Sequence, residues 1–184
     1  RYAGDVVGAA NGWSAGRLPR LRGILRPCRN QVLMCRPNVA GGGSRLWDVG
    51  GLSVGDGARE IYAIRRARDG LVCVGGARAV ESNCGVDSTE ATLSTAVGDH
   101  LRSFLVRSFP DCFRHPLQVE AEWVGILGFT RDGYPLCGQL PNEEGLFIAA
   151  GYNGNGMPQC FGVGKAIAQM IRGEHAAVDP WVRE

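Results

Sequence analysis

A glycine-rich loop between an apolar strand and a helix is the most constraining feature of this sequence. Residues 146–150 are all apolar and predict a buried strand, and residues 151–156 follow with the sequence GYNGNG. Pro158 favours the first turn of a helix and Gly173 favours its end, which predicts a final helix over about residues 158–172. Exposed N–H groups and the helix dipole at such a start stabilise negative charge. The spacing alone fits a plain strand-to-helix turn equally well.

The composition excludes several classes of protein. Twenty Lys and Arg against 18 Asp and Glu give a net charge of +2, too balanced for the basic face that nucleic-acid binding requires. No apolar stretch approaches the roughly 18 residues of a membrane span. Seven cysteines without a C-x-x-C pair predict free thiols in a reducing compartment, with the cytoplasm preferred over the mitochondrial matrix. The three histidines are not paired at ligand spacing, so no metal site is expected.

The rest of the chain predicts an antiparallel sheet with one covering helix. Residues 60–65 and 71–75 alternate in polarity around an Asp-Gly turn, which is typical of a hairpin, and residues 118–130 alternate as a further strand. Apolar residues at steps of three and four predict a helix over about residues 88–109, with Asp87 and Glu90 as a capping box. Near the start, the apolar residues 5–10 predict a buried strand that ends in the turn Asn-Gly-Trp-Ser.

Several short motifs resemble one family in the family's own order. Residues 123–138 (WVGILGFTRDGYPLCG) and 151–158 (GYNGNGMP) are similar to the C-terminal signature of the D-amino-acid oxidase, sarcosine oxidase and glycine oxidase superfamily of flavoproteins. Residues 5–14 resemble the family's strand and its Ala-Gly-Trp-Ser-like turn. Residues 27–32 (PCRNQV) resemble its Pro-x-Arg-Gly-Gln-x segment, with Asn30 in place of the glycine, and residues 75–78 (GGAR) resemble its glycine pair. Together these motifs span almost the whole chain.

The resemblance implies an α+β fold. Residues 27–130 would form the antiparallel substrate-domain sheet with its covering helix, and residues 1–26 and 131–184 would supply the C-terminal elements of an FAD-binding α/β domain of the glutathione-reductase type. The implied reaction oxidises the C–N bond of a small amine or amino acid to an imine by hydride transfer to FAD, followed by reoxidation.

The resemblance also implies the residues of the site, because in this family the glycine-rich loop and the last helix's N-terminus lie against the isoalloxazine ring. The expected cofactor-binding residues are Asn11, Gly12, Trp13, Arg29, Asp132, Gly133, Gly154, Asn155, Gly156 and Met157. Asn155 stands where many relatives have His. Tyr152 and Arg78 are candidates on the substrate side, and no catalytic residue is assigned.

Two departures from the family pattern limit what the resemblance implies. The arginines with which glycine oxidase clamps a carboxylate would fall near Leu127 and Gly154, which cannot form bidentate bonds, so the amine substrate stays open. No cysteine lies near Gly125, where sarcosine oxidase attaches its flavin, so non-covalent FAD is expected.

The dinucleotide-binding fingerprint G-x-G-x-x-G does not occur in the sequence. Together with a start at Arg1 inside what resembles a domain, this predicts a fragment that needs a missing N-terminal dinucleotide-binding segment as its partner. The fragment alone is expected to be inactive. The alternative hypothesis is a non-catalytic, truncated or assembly member of the same fold.

Overall fold

In the computed structural model, the residues described are 4–39, 51–54, 60–81, 83 and 85–178. They divide into two compact units. Unit 1 consists of Arg1–Cys28, Asp87–Thr89 and Ile126–Glu184, and unit 2 consists of Arg29–Val86 and Glu90–Gly125. The sequence predicts one middle segment of residues 27–130, whereas residues 27–28, 87–89 and 126–130 fall in unit 1.

Unit 1 is built around a three-stranded sheet in the order β1-β8-β7. β1 (Val6–Gly8) pairs parallel with β8 (Leu146–Ala150), and β8 pairs antiparallel with β7 (Leu136–Gln139). One face of β8 packs on the helix α3 (Gly156–Ile171), and the other packs on residues around the short helix α1 (Ser14–Arg17). Because β8 is buried on both faces, its sequence is apolar throughout instead of alternating.

A five-stranded sheet in the order β3-β4-β5-β2-β6 forms the body of unit 2. Its strands are β2 (Leu25–Arg36), β3 (Gly51–Val54), β4 (Ile61–Arg65), β5 (Val72–Gly76) and β6 (Gln118–Thr130). β3 pairs antiparallel with β4, β4 with β5, and β5 with β2. The helix α2 (Thr95–Ser108) covers one face of this sheet through Val97, Leu101 and Leu105, which are fully or almost fully buried. The mixed α+β fold with an antiparallel sheet agrees with the sequence prediction.

The predicted start of the middle helix is wrong. The sequence pattern placed it at about residue 88 with a capping box of Asp87 and Glu90, but α2 begins at Thr95. Ser94 caps it instead, because its side chain accepts a hydrogen bond from the Val97 N–H at 3.3 Å. Asp87 lies in the left-handed region (φ 60°), and its carboxylate accepts two hydrogen bonds from Arg26. The Asp87 carboxylate therefore pairs with the distant Arg26 and does not cap the N-terminus of α2.

The hairpin and the last helix are confirmed. The Arg66 N–H donates to the Leu71 carbonyl at 2.7 Å across the Asp-Gly turn that joins β4 and β5. α3 begins two residues before the predicted position, and Gly173 follows its end with φ 75°. A glycine adopts this left-handed conformation without strain, which explains why the helix stops there.

Candidate functional site

The turn after β1 is anchored to the glycine-rich loop of the same unit. Asn11–Trp13 form a single 3₁₀ turn, and the Asn11 side-chain oxygen accepts a hydrogen bond from the Gly151 N–H at 2.9 Å. Gly12 is buried against the end of β6, where a side-chain carbon would collide with the Leu127 carbonyl. The Trp13 indole donates to the Thr89 carbonyl at 3.2 Å. These contacts hold the turn beside residues 126–128 and 151.

The glycine-rich loop is held against the end of β6 by Asn153. Its N–H donates to the Gly128 carbonyl at 2.9 Å, and its side-chain oxygen accepts from the Thr130 N–H at 2.9 Å. Its side-chain nitrogen donates to the Thr130 hydroxyl at 3.0 Å and to the Gly151 carbonyl at 2.6 Å. Gly151, Asn153 and Gly154 all have positive φ. The turn after β1, the end of β6 and the loop therefore meet in unit 1.

The N-terminus of α3 opens from this loop without a side-chain cap among the described residues. Asn155 is the N-cap, but its side chain donates to the Asn153 carbonyl at 3.2 Å instead of accepting from the helix. The first turn of α3 contains no acidic residue, and a side-chain carbon built on Gly154 meets no atom within 4 Å. The first N–H groups of a helix need an acceptor. This end of α3 can therefore accept a negatively charged or strongly polar ligand at Gly154.

Asp132 and Gly133 lie in the exposed turn that follows β6. The Asp132 carboxylate accepts from the Tyr134 N–H at 3.1 Å. This hydrogen bond is the main cause that holds the pKa of Asp132 below its usual range, and a contact with the Thr130 side chain adds to it. The two residues belong to the same unit as the loop, and Thr130 links them to Asn153.

The two predicted arginines lie in unit 2. The Arg29 guanidinium donates to Glu81 at 2.7 Å and to the Thr92 hydroxyl at 3.0 Å. Arg78 follows β5 and forms an ion pair with Glu60 at 3.9 Å. Both arginines line a water-sized cavity of about 10 Å³.

Tyr152 lies in unit 1 beside an apolar groove. The groove has a volume of about 390 Å³ and is lined by residues of β1, β8 and α3, among them Val7, Gly164 and Ala168. Tyr152 is half-buried, and burial raises the pKa of its hydroxyl. In the loop, a side-chain carbon on Gly156 would lie 3.3 Å from the Tyr152 ring.

Asn153 and Thr130, which hold the loop together, are not among the site residues expected from the sequence. A signal for Asn153 was present, because an asparagine followed by glycine is typical of a turn, tolerates the left-handed conformation and bonds to neighbouring backbone groups. Its φ is 54°. Nothing in the local sequence pointed to Thr130 as its partner 23 residues away.

Neither a metal cluster nor a membrane-spanning helix is found in the part of the chain that the structure describes. Histidine, cysteine and carboxylate side chains do not gather there in groups of three or more that could hold an ion. None of its helices combines the length and the apolar character needed to cross a bilayer.

Comparisons by family model, by sequence and by structure all match this chain to oxidoreductases. The family model described as FAD dependent oxidoreductase (DAO) matches residues 1–170. Glycine oxidase of Pseudomonas aeruginosa is 26% identical over 123 residues, which are 67% of this chain and 31% of that protein. The crystal structure of glycine oxidase from Geobacillus kaustophilus superposes with a TM-score of 0.69 at 22% identity, covering 95% of this chain and 43% of that one.

A modified fructosyl peptide oxidase from Aspergillus nidulans superposes equally well, with a TM-score of 0.71 at 17% identity over 97% of this chain and 44% of that one. The chain therefore spans less than half the length of these relatives. The chain shares their fold, whereas the substrates in the names of these relatives differ.

Proposed function

Because the chain belongs to the family of FAD-dependent oxidoreductases, we propose that it supplies the ring side of the flavin site in a longer oxidoreductase. The whole protein would oxidise a C–N bond of an amine or amino acid to an imine, with the flavin as hydride acceptor. FAD is the cofactor of this family, and we propose that it binds without a covalent link. The oxidising power belongs to the cofactor, so this chain's task is to bind, orient and polarise it.

The open N-terminus of α3 is the observation that carries this proposal. Its N–H groups have no side-chain acceptor among the described residues, and a side-chain carbon on Gly154, two residues before the helix, would meet no atom within 4 Å. The pyrimidine end of a flavin gains negative charge on reduction, which suits N–H donors at the positive end of a helix. The chain's residues therefore fit the flavin: Gly154, Asn155, Gly156 and Met157 would hold its ring, with Asn11, Gly12 and Trp13 behind the loop.

The Gly154→Val substitution in the extended protein, meaning this chain preceded by its upstream segment, tests the proposal. The branched side chain would fill the open space, and we expect FAD affinity to fall at least tenfold. Flavin absorbance at roughly 370 and 450 nm after saturation and desalting measures the bound fraction.

The matched control is Gly173→Val at the other end of α3. Gly173 has a similar φ of 75°, and it also has no atom within 4 Å of its position. The Gly173→Val substitution therefore introduces similar backbone strain at a position outside the proposed flavin site. Equal flavin content in the two variants would contradict the proposed position of the ring. An extended protein that stays colourless with excess FAD would instead support a non-catalytic member of the fold.

We further propose that the apolar groove of unit 1 receives the upstream dinucleotide-binding segment. β1 lies at the edge of its sheet, Val6 and Val7 are about 43% and 42% exposed, and Phe161 on α3 is 83% exposed. Parallel sheets are normally covered on both faces, so these surfaces fit an additional strand and helix. The open edge explains why the 184-residue chain alone is expected to be inactive.

Cys160 provides a probe for this partner, because it lines the groove and is exposed. We expect a thiol reagent to label Cys160 rapidly in the 184-residue chain and at least tenfold more slowly in the extended protein. The Cys160→Ser variant identifies this signal, since it should lose one rapidly labelled thiol. An unchanged rate in the extended protein would show that the groove stays open.

We propose a reducing compartment, with the cytoplasm preferred. None of the six cysteines that the structure describes forms a disulfide, and this includes the buried Cys28, Cys35 and Cys112. Thiols persist in this form where reductants keep them reduced.

A further inference from the structure

The dipeptide Asn-Gly occurs three times in the chain, starting at Asn11, Asn153 and Asn155. Asparagine is a thermally labile residue, because the backbone nitrogen of the next residue can attack its side-chain carbonyl carbon. The attack closes a succinimide ring and releases ammonia, and water then opens the ring to give aspartate or isoaspartate. Glycine in the next position leaves the attacking nitrogen accessible, since it carries no side chain. All three asparagines are therefore candidates for deamidation, and their surroundings in the structure differ.

Asn153 and Asn11 are restrained against this reaction. The Asn153 side chain bonds to the Thr130 N–H at 2.9 Å and to the Gly151 carbonyl at 2.6 Å. The Asn11 side-chain oxygen accepts from the Gly151 N–H at 2.9 Å, and the following Gly12 is buried. Ring closure at either asparagine must first break these bonds. One neutral hydrogen bond corresponds to roughly a three- to tenfold factor in an equilibrium, so both reactions are slowed.

Asn155 lacks these restraints. Its side chain is exposed, and its side-chain oxygen has no hydrogen-bond partner among the described residues. Its side-chain nitrogen makes one bond, to the Asn153 carbonyl at 3.2 Å. The attacking nitrogen would be that of Gly156, the first residue of α3, whose N–H has no acceptor within the helix. Ring closure therefore changes the backbone only at the helix end, where helices fray.

The start of α3 also favours the reaction electrostatically. The Gly156 nitrogen attacks after its N–H has lost a proton, and the attack leaves negative charge on the side-chain oxygen of Asn155. The positive end of a helix dipole stabilises negative charge at both atoms. The first turn of α3 contains no acidic residue that would oppose it.

We propose that Asn155 is a site of spontaneous deamidation, and that the carboxylate formed there closes the N-terminus of α3 to the flavin. The second half of this inference rests on the proposed function. A carboxylate at the N-cap accepts from the second or third helical N–H group. The third residue is Pro158, which has no N–H, so the carboxylate takes the Met157 N–H and adds a negative charge beside it.

The modified residue and the flavin therefore compete for the same end of the helix. A flavin oxygen that accepts from the Gly156 and Met157 N–H groups would also keep the Gly156 nitrogen from attacking. Bound FAD is thus expected to protect Asn155, whereas the protein without FAD loses its flavin site with time.

Mass spectrometry of the extended protein, kept without FAD at mildly alkaline pH and then digested with trypsin, tests the modification site. Asn11 lies in the tryptic peptide of residues 2–17, and Asn153 and Asn155 share the peptide of residues 132–165, in which fragmentation separates them. We expect Asn155 to deamidate at least about tenfold faster than the other two, because each of these must break its side-chain hydrogen bonds first. An equal or faster rate at Asn153 or Asn11 would overturn the proposal.

The Asn155→Gln variant identifies the fast reaction. The longer glutamine side chain closes a larger ring less readily, so the rapid loss of ammonia from this peptide should disappear. Saturation of the unmodified protein with FAD should slow deamidation of Asn155 at least roughly threefold, since a ligand at the helix end blocks the attacking nitrogen.

The Asn155→Asp variant reproduces the charge of the product. We expect it to bind FAD at least roughly threefold more weakly, because its carboxylate competes at the helix end. Its resistance to urea should be equal or higher, since aspartate is a favoured N-cap residue, so misfolding does not account for the loss. Asn142→Asp is the matched control. It adds the same charge in the turn before β8, at the opposite end of that strand from the glycine-rich loop, and should leave FAD affinity unchanged.

Two further results would overturn the closure of the helix end: an unchanged rate at Asn155 in the FAD-saturated protein, or equal FAD affinity of the Asn155→Asp and Asn142→Asp variants. Both results require that FAD binds, so they leave the proposed function intact. A protein that binds no FAD would remove the proposed function, and the order of the three rates would still decide whether Asn155 is the modification site.

Discussion

Replacing Gly12 by alanine is expected to destabilise unit 1 by about 2–4 kcal/mol, at the upper end of the cost of overpacking a buried position. The added carbon would collide with the Leu127 carbonyl and lie 2.8 Å from the Ile126 side chain. The turn therefore has to move away from β6, and the hydrogen bond from Gly151 to Asn11 would be lost with it. Urea unfolding followed by circular dichroism measures the effect.

Gly16→Ala is the matched control for Gly12→Ala. Gly16 lies four residues further along in α1, and a side-chain carbon there would be 3.9 Å from Thr89, an ordinary contact. Alanine also favours the helix, so a neutral or slightly stabilising effect is expected. If both variants unfolded at the same urea concentration, the close packing of Gly12 on β6 would be contradicted.

Replacing Asn153 by glycine is expected to cost about 2–3 kcal/mol and to lower flavin affinity of the extended protein more than tenfold. Glycine adopts the left-handed conformation of residue 153 easily, so the loss reports the side-chain hydrogen bonds to Thr130 and Gly151. Each buried bond of this kind contributes about 1 kcal/mol. Without them the loop no longer fixes the start of α3.

Asn142→Gly is the control for the Asn153 variant. Asn142 has a similar φ of 61° in an exposed turn, and among the described residues its side chain makes no hydrogen bond. It should change stability little and flavin content not at all. An equal loss in both variants would show that the side chain of Asn153 does not hold the loop. Unfolding curves and flavin absorbance measure the two effects.

The sequence predicted those features that depend on neighbours along the chain. The hairpin around Asp69 and the last helix follow from alternation, turn residues and flanking Pro158 and Gly173. These signals are local, because polarity alternates within one strand and a glycine shortly after the last turn favours the end of a helix.

The features that sequence reasoning missed depend on distant partners. Periodicity shows which face of a strand is buried, but it does not show which strand lies beside it. The bond from Gly151 to Asn11 joins residues 140 positions apart, and the bond from Thr130 to Asn153 joins residues 23 apart. The capping box failed for the same reason, since Arg26 pairs with Asp87 from 61 positions away.

A crystal structure of the extended protein with FAD tests the central claim most directly. We expect N–H groups between Gly154 and Met157 to lie about 3 Å from an oxygen at the pyrimidine end of the ring. A flavin ring bound elsewhere, with these N–H groups facing water, would contradict it.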